Sequence, residues 1–197
     1  MWVLEQVHTF HLGKIDNPIP IEGLISKELE MDYGWGFCNL HVRPGLQEYL
    51  RELTEVADVF AFTAGLPVYA RPIIKCLDPE QKIFKKVWYR DSCTYKRFDF
   101  ESGGFTDFHT KDLETMKHYY DPNRTILVDD SIHSFLPQPS NGIKIPNFFN
   151  EPEDDHLSEV LKVVKELQTE SDVKPALHDM FNLTAKVDQF VNKYKYK

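Results

Sequence analysis

Oxygen-bearing side chains follow short apolar runs at three places in the chain, and they are the first candidates for chemistry. They are Glu5 after residues 2–4, Thr63 after residues 59–62, and Asp129 with Asp130 after residues 125–128. If these runs are parallel strands, their carboxyl ends meet at one edge of a sheet, where α/β proteins bind ligands.

The elements that must position these residues alternate between strand and helix. Residues 59–62 and 125–128 predict strands buried on both faces of a parallel sheet, and residues 2–4 and 83–89 predict two more. Apolar residues at helical spacing predict helices, at residues 44–56, 66–77, 112–120, 157–167 and 175–194. Residues 11–41 show no clear period and predict a long excursion with at most one hairpin. The alternation favours an α/β domain with a mainly parallel sheet.

The composition of the chain argues against several classes of protein. The 197 residues carry a formal net charge of -8, with 42% hydrophobic and 27% charged residues. The negative charge argues against nucleic-acid binding, because phosphate backbones attract Lys and Arg. Three cysteines, an odd number without metal-ligand spacing, predict reduced thiols. No apolar run is long enough to predict a membrane span, and the N-terminus carries no readable signal peptide.

Seven short segments, weak singly but in the right order, identify a resemblance to a family. The chain resembles the FCP/SCP-type phosphatases that act on the RNA polymerase II C-terminal domain, within the haloacid dehalogenase superfamily. The segments are residues 43–45, 62–74, 77–79, 89–93, 111–113, 128–131 and 138–143. The resemblance implies a haloacid-dehalogenase-like (Rossmannoid) parallel sheet, in which strands 59–62 and 125–128 flank strand 2–5, with flanking helices and a small insertion. It predicts one domain over residues 1–180 and a C-terminal helical extension over residues 181–197.

The resemblance also assigns roles to residues. Family members begin with a strand that ends in Asp-x-Asp, where the first Asp is the nucleophile and the second is the general acid and base. Glu5 and Val7 stand at these two positions. The other implied roles are Thr63 and Lys111 as phosphate-binding residues, Asp129 as the partner of that Lys, and Asp130 as the metal ligand.

The two degenerate positions predict a loss of activity. Glu5 keeps the charge but moves its oxygen by about an ångström, and misplacement on that scale can cost on the order of a hundredfold in rate. Val7 cannot donate a proton, and general acid–base assistance contributes typically ~10²–10⁴-fold. His8 lies on the opposite face of a strand from Val7. We therefore expect no catalytic residue and no cofactor, with Thr63 and Lys111 as a vestigial phosphate site and Asp129 and Asp130 as a vestigial metal site.

The resulting prediction is a catalytically inactive pseudophosphatase that acts as a protein-binding or structural subunit of a larger assembly. The similar receptor subunit of the mitochondrial presequence translocase implies a mitochondrial location, with nuclear and cytoplasmic locations as alternatives. The predicted partners are other protein subunits, contacted through residues 98–108, an insertion rich in Phe and Gly, and through the C-terminal helix. Two alternative functions are a magnesium-dependent protein phosphatase that uses Glu5 as its nucleophile and a decoy that binds phosphopeptides.

Overall fold

The structure is a computed structural model that describes residues 2–4, 7–10, 25–30, 37–100, 103–116, 118–119 and 121–195. Ten strands lie within these residues: β1 Trp2–Leu4, β2 Val7–Phe10, β3 Ile25–Glu30, β4 Phe37–Val42, β5 Val59–Phe62, β6 Phe84–Trp88, β7 Thr94–Asp99, β8 Phe105–Thr110, β9 Ile126–Asp129 and β10 Gly142–Lys144. Five α-helices lie there too: α1 Leu46–Val56, α2 Pro67–Leu77, α3 His156–Glu166, α4 Lys174–Phe181 and α5 Leu183–Lys195.

A five-stranded parallel sheet forms the centre of the domain, in the order β10-β9-β1-β5-β6. β1 is its middle strand, and Leu4 pairs with Ala61 of β5 and Val128 of β9. The predicted α/β sheet is therefore confirmed, with strands 59–62 and 125–128 on either side of the first strand. All carboxyl ends of these strands lie on one edge, which is where the candidate site residues were predicted.

Alternate residues of the buried strands supply two separate apolar cores. Val59, Ile126 and Val128 belong to the larger core, which the helices α1, α2, α3 and α4 complete. Phe60 and Leu127 belong to the smaller core, to which α5 contributes Leu183 and Val187. Neighbouring residues of a strand point to opposite faces of the sheet, so each run needs an apolar residue at every position. The two cores therefore explain the continuous apolar runs.

Two small antiparallel sheets accompany the central one. The strands β2, β4 and β3 form a three-stranded sheet in that order, which accounts for part of the predicted excursion. The predicted extended segment at Tyr33 and Trp35 lies outside the described residues. The strands β7 and β8 form a hairpin between β6 and Lys111, and this hairpin is the insertion that was predicted from its Phe and Gly content.

Two helix predictions differ from the structure. Over residues 112–116 the structure has a 3₁₀ turn, Leu113–Met116, at whose start the carboxylate of Asp112 accepts the N–H of Glu114. The C-terminal helix is two helices, since Asn182 between them adopts a φ of 42°, a left-handed conformation that Asn tolerates. Within the described residues, none of the helices is both long enough and apolar enough to cross a lipid bilayer.

Tyr49 on α1 allows a test of the larger core. Its side chain is 2% exposed, and its hydroxyl has no hydrogen-bond partner among the described residues. Burial raises the pKa of Tyr49 well above its usual range, so the hydroxyl stays protonated. An unsatisfied buried polar group costs about 1–3 kcal/mol. We expect Tyr49→Phe to raise the free energy of unfolding by roughly 1 kcal/mol in urea denaturation.

The control for this substitution is Tyr95→Phe. Tyr95 is exposed, and its hydroxyl donates to Asp107 at 2.9 Å. Exposed substitutions usually change stability by less than about 0.5 kcal/mol, so the control should leave the urea midpoint nearly unchanged. A lower free energy of unfolding for Tyr49→Phe would mean that the hydroxyl has a partner in solution.

Candidate active site

A buried ion pair lies at the carboxyl edge of the central sheet. Lys111, which follows β8, and Asp129, the last residue of β9, are both 0% exposed, and the Lys111 ammonium donates to Oδ2 of Asp129. The other carboxylate oxygen of Asp129 accepts the N–H of Ser131 at 2.7 Å. The backbone N–H of Lys111 donates to the carbonyl of Ser134 at 3.3 Å. The contacts fix the position of a positive charge at this edge.

Thr63 stands at the end of β5, on the other side of β1. Its hydroxyl oxygen accepts the N–H of Gly65 at 2.9 Å, and its backbone N–H donates to the carbonyl of Trp88 at 2.9 Å. A Cβ at Gly65 would lie 3.1 Å from the Thr63 hydroxyl, so a larger residue would crowd that hydroxyl by a few tenths of an ångström. Strand end and turn together hold the Thr63 hydroxyl in place.

Asp130 is the candidate metal ligand that the structure describes. The side chain is half-buried, and its Oδ1 accepts the hydroxyl of Ser131 at 3.0 Å. No group of three His, Cys, Asp or Glu side chains that could hold a metal ion occurs in the described part of the chain. Magnesium usually keeps several waters and needs only one or two carboxylates besides substrate phosphate. Among the described residues, Asp130 supplies one carboxylate of the kind that magnesium takes, and most of the other ligands would be water and substrate.

The structure brings together some of the predicted site residues and leaves others undescribed. Lys111 and Asp129 are in direct contact, while Thr63 and Asp130 follow the two strands that pair with β1. Glu5 lies outside the described residues; it follows Leu4, the last residue of β1, in the sequence. Val7 begins β2, so the predicted first motif is divided between two sheets.

An aromatic cluster fastens the β7–β8 hairpin to α5, and it consists of Phe98, Phe100, Phe108, Phe190 and Tyr194. Tyr194 is the centre of the cluster, with ring centroids 5.7 Å from Phe98, 6.1 Å from Phe100 and 5.6 Å from Phe108. Phe108 also lies 5.3 Å from Phe190. The spacing of Phe190 and Tyr194, one helical turn apart, was the sequence signal for this contact.

The cluster changes the interpretation of the predicted contact surface. Three Phe rings of the insertion pack on the C-terminal helix of the same chain, so the two segments that were expected to bind partners bind each other. Phe105 is the exception, because it is 51% exposed. Contact with another protein stays a prediction for the outward side of the hairpin.

Two polar residues near the site have partners that could not be read from the sequence. The side-chain amide of Gln138 donates to the carboxylate of Asp112 at 2.8 Å, and its carbonyl accepts the N–H of Leu113 at 3.1 Å. His133 stacks on Phe108 with ring centroids 4.9 Å apart. Both contacts join the segment after β9 to the segment that carries Lys111. Gln138 lay in a segment of the resemblance, but its partner could not be read from the sequence.

Comparison with known proteins identifies relatives along most of the chain. A family model described as NLI interacting factor-like phosphatase matches residues 25–174. A relative from Dictyostelium discoideum, named CTD small phosphatase-like protein 2, is 31% identical over 147 residues, which are 75% of this chain and 24% of the relative. A Caenorhabditis elegans relative, named CTD nuclear envelope phosphatase 1 homolog, is 30% identical over 139 residues, 71% of this chain and 52% of the relative.

A solved structure supports the fold. The structure of Fcp1, described as an essential RNA polymerase II CTD phosphatase, matches with a TM-score of 0.52 and 21% identity, and the match covers 86% of this chain and 49% of that chain. The chain spans between about a quarter and a half of the length of the curated relatives cited above. The family match begins at residue 25, so it does not include Glu5 or Val7.

Two predictions from the sequence need correction. The prediction of a catalytically inactive pseudophosphatase, a non-enzyme serving as a structural subunit, is wrong, because the matching family and the relatives are named as phosphatases. That prediction rested on the substitutions at Glu5 and Val7, and it gave one motif more weight than the rest of the chain. The mitochondrial location finds no support in these comparisons.

Proposed function

Because the chain belongs to the NLI interacting factor-like phosphatase family, we propose that it is a magnesium-dependent protein phosphatase in which Glu5 serves as the nucleophile. The observation that carries this proposal is the fully buried Lys111–Asp129 pair at the carboxyl edge of the sheet. A buried charge pair costs desolvation energy and is weak evidence for stability. Its retention beside two strand ends that carry Thr63 and Asp130 supports a role in binding an anion.

The strand order supports the nucleophile. β1 lies between β5 and β9. Leu4 pairs with Ala61, two positions before Thr63, and with Val128, one position before Asp129. Glu5 is the next residue in the sequence, so the proposed nucleophile follows the strand that lies between those leading to Thr63 and Asp130.

The reaction transfers a phosphoryl group twice. A Glu5 carboxylate oxygen forms a bond to phosphorus, and the bond from phosphorus to the substrate oxygen breaks, which leaves an acyl phosphate on Glu5. Water then attacks this phosphorus, releases inorganic phosphate and restores the carboxylate. Val7 has no proton to give, so the leaving oxygen takes its proton from water. Substrates with acidic leaving groups, such as aryl phosphates, should therefore react faster than alkyl phosphates.

Asp130 and Glu5 would hold magnesium. Bound there, the metal ion would neutralise negative charge on the phosphate oxygens. Asp129 is occupied by Lys111, so its role is to hold and orient that ammonium group rather than to bind metal. The Ser131 hydroxyl bound to Asp130 limits the rotation of the Asp130 carboxylate.

Hydrolysis of para-nitrophenyl phosphate tests the proposal. We expect turnover that needs magnesium, stops with a chelator and falls to background in Glu5→Gln, because the amide is not a nucleophile. The missing general acid already lowers the rate of the unmodified chain by ~10²–10⁴-fold. The fall that can be measured in Glu5→Gln is therefore limited by the rate of uncatalysed hydrolysis. The control is Glu153→Gln, an exposed residue beyond the site. Turnover that survives in Glu5→Gln would overturn the assignment, as would an unmodified chain with no magnesium-dependent turnover.

The name of the nematode relative supports a nuclear location for this chain. Imaging of the tagged protein in its own cells tests this proposal, which a mitochondrial signal would contradict.

A further inference from the structure

The β7–β8 hairpin has two different faces. Residues opposite each other in an antiparallel pair share a face, and successive residues alternate. The inner face carries Phe98 and Phe108, which pack on α5 in the aromatic cluster. The outer face carries three cross-strand pairs: Tyr95 with His109, Arg97 with Asp107, and Asp99 with Phe105.

Contacts within the outer face hold its side chains in place. The Arg97 guanidinium lies 3.5 Å from the centroid of the Phe105 ring, and the Tyr95 hydroxyl donates to Asp107 at 2.9 Å. The Tyr95 and His109 rings meet edge to face with centroids 5.9 Å apart. A partner would therefore meet rings that are already ordered, which lowers the entropic cost of binding.

The outer face is exposed although it carries aromatic rings. Tyr95 is 52% and Phe105 is 51% exposed, and Arg97 is 48% exposed in its side chain. Tyr and Arg are enriched among the residues that dominate binding energy at protein interfaces. The Arg97 guanidinium donates to Asp99 at 2.9 Å, so Asp107 is the carboxylate of this face that favours a cationic group.

The outer face adjoins the candidate active site along the chain. β8 ends at Thr110, and the next residue is Lys111. At about 3.4 Å per residue in an antiparallel strand, Asp107 lies roughly four strand positions, or about 14 Å, from Lys111 along the chain. An extended peptide that starts from a phosphate at Lys111 would reach Asp107 with a side chain about four residues away.

We propose that the outer face of this hairpin docks the extended peptide on which the phosphate is carried, and that it selects an Arg or Lys about four residues from the phosphorylated residue. The proposal rests on the proposed phosphatase function and adds its substrate class. The cationic side chain pairs with the Asp107 carboxylate, while Tyr95 and the side of the Phe105 ring away from Arg97 pack against the peptide backbone. The outer face increases the affinity of the chain for the peptide and does not change the reaction at the phosphate.

Binding measured without turnover tests the docking. Fluorescent phosphoserine decapeptides are titrated with the unmodified chain in the presence of a chelator, so that the proposed hydrolysis does not interfere. The set holds one peptide with Arg four residues before the phosphoserine, one with Arg four residues after it, and one with Ala at both positions. We expect one Arg peptide to bind at least about tenfold tighter than the Ala peptide, a difference that one charge-assisted contact can supply.

Two variants and a control assign that preference to the hairpin. Asp107→Asn should remove most of the tenfold preference, and Tyr95→Ser with Phe105→Ser should weaken all three peptides. Hydrolysis of para-nitrophenyl phosphate should stay within about twofold in both variants, because none of these residues lies in the site. The control is Met180→Ser on α4, a 42% exposed apolar residue away from the hairpin.

Each outcome decides the proposal. Equal affinity for the three peptides, no binding of any of them, or a preference that survives Asp107→Asn would overturn it. Loss of aryl phosphate turnover together with loss of peptide binding in Asp107→Asn would also overturn it, since the hairpin would then act through the site. Selective binding by a chain without any turnover would leave the docking face in place and reject the phosphatase function instead.

Discussion

Lys111→Met lowers the free energy of unfolding by about 3–5 kcal/mol, the cost expected when one partner of a buried ion pair is removed. Met has nearly the length of Lys and fills the same space, so the loss reflects charge rather than volume. Asp129 is 0% exposed and would keep a buried carboxylate that has lost the ammonium group of Lys111. Urea denaturation with an unchanged m-value measures the loss. Aryl phosphate turnover should fall to background in the same variant.

A second substitution separates charge from packing in this result. Lys111→Met combined with Asp129→Asn removes both charges and keeps an acceptor for the N–H of Ser131. The double variant should recover a large part of the stability lost in Lys111→Met, because a buried ion pair is often replaceable by neutral groups. The matched control is Lys162→Met, whose side chain is 71% exposed. A double variant that is less stable than Lys111→Met would contradict the ion-pair explanation.

The second large effect is expected at Arg43, which ties the start of α1 to the loop before α3. Nε and Nη2 of Arg43 donate to the two carboxylate oxygens of Asp154 at 2.7 Å each, and the side chains are 1% and 4% exposed. Nη2 also donates to the carbonyl of Pro146 at 3.1 Å. Asp154→Ala removes the bidentate carboxylate from a buried guanidinium and should lower the free energy of unfolding by about 3–5 kcal/mol.

The neighbouring carboxylate provides the control for Asp154→Ala. Asp155 is exposed and makes no side-chain capping bond to α3. Asp155→Ala should therefore change the urea midpoint little. If the two Ala variants have equal stability, the bidentate pair contributes nothing measurable in solution.

The pH dependence of this pair has a definite sign. Burial alone raises the pKa of Asp154, but the hydrogen bonds from Arg43 and His156 and their charges outweigh it and hold the pKa below its usual range. A depressed folded-state pKa contributes stability that is complete above the unfolded value, about 3.9 for Asp, and is lost as pH falls through the folded value. The difference between the unmodified chain and Asp154→Ala should stay large at pH 5 and above and narrow as the pH falls through the lowered pKa of Asp154.

The parts of the fold that sequence predicted are those whose signals are local. β5 is continuously apolar because two cores cover its two faces, and α1 shows a helical period because one side faces the larger core. β10 was missed because three residues carry no period. Gly142, its first residue, leaves too little room for a Cβ, which would lie 2.4 Å from Leu183, and such crowding depends on a helix far along the chain.

The functional and structural residues around the site also divide into those with a local sequence signal and those without one. Thr63, Asp129 and Asp130 could be placed because strand ends reveal their edge of the sheet. The pair of Arg43 and Asp154 could not be predicted, since its members are 111 positions apart and neither interrupts a pattern. Glu5 was weighed too heavily, because a single substituted motif was set against a match that extends over most of the chain.

The aromatic cluster can form only after synthesis of the chain has reached α5. The ribosome releases Phe108 about 86 residues before Tyr194, which at roughly 5–20 residues per second takes on the order of 5–20 s. During that interval the inner face of the hairpin has no helix to cover it, and its Phe rings are open to water and to other nascent chains. The growing polypeptide is therefore most dependent on chaperones in the seconds before α5 emerges.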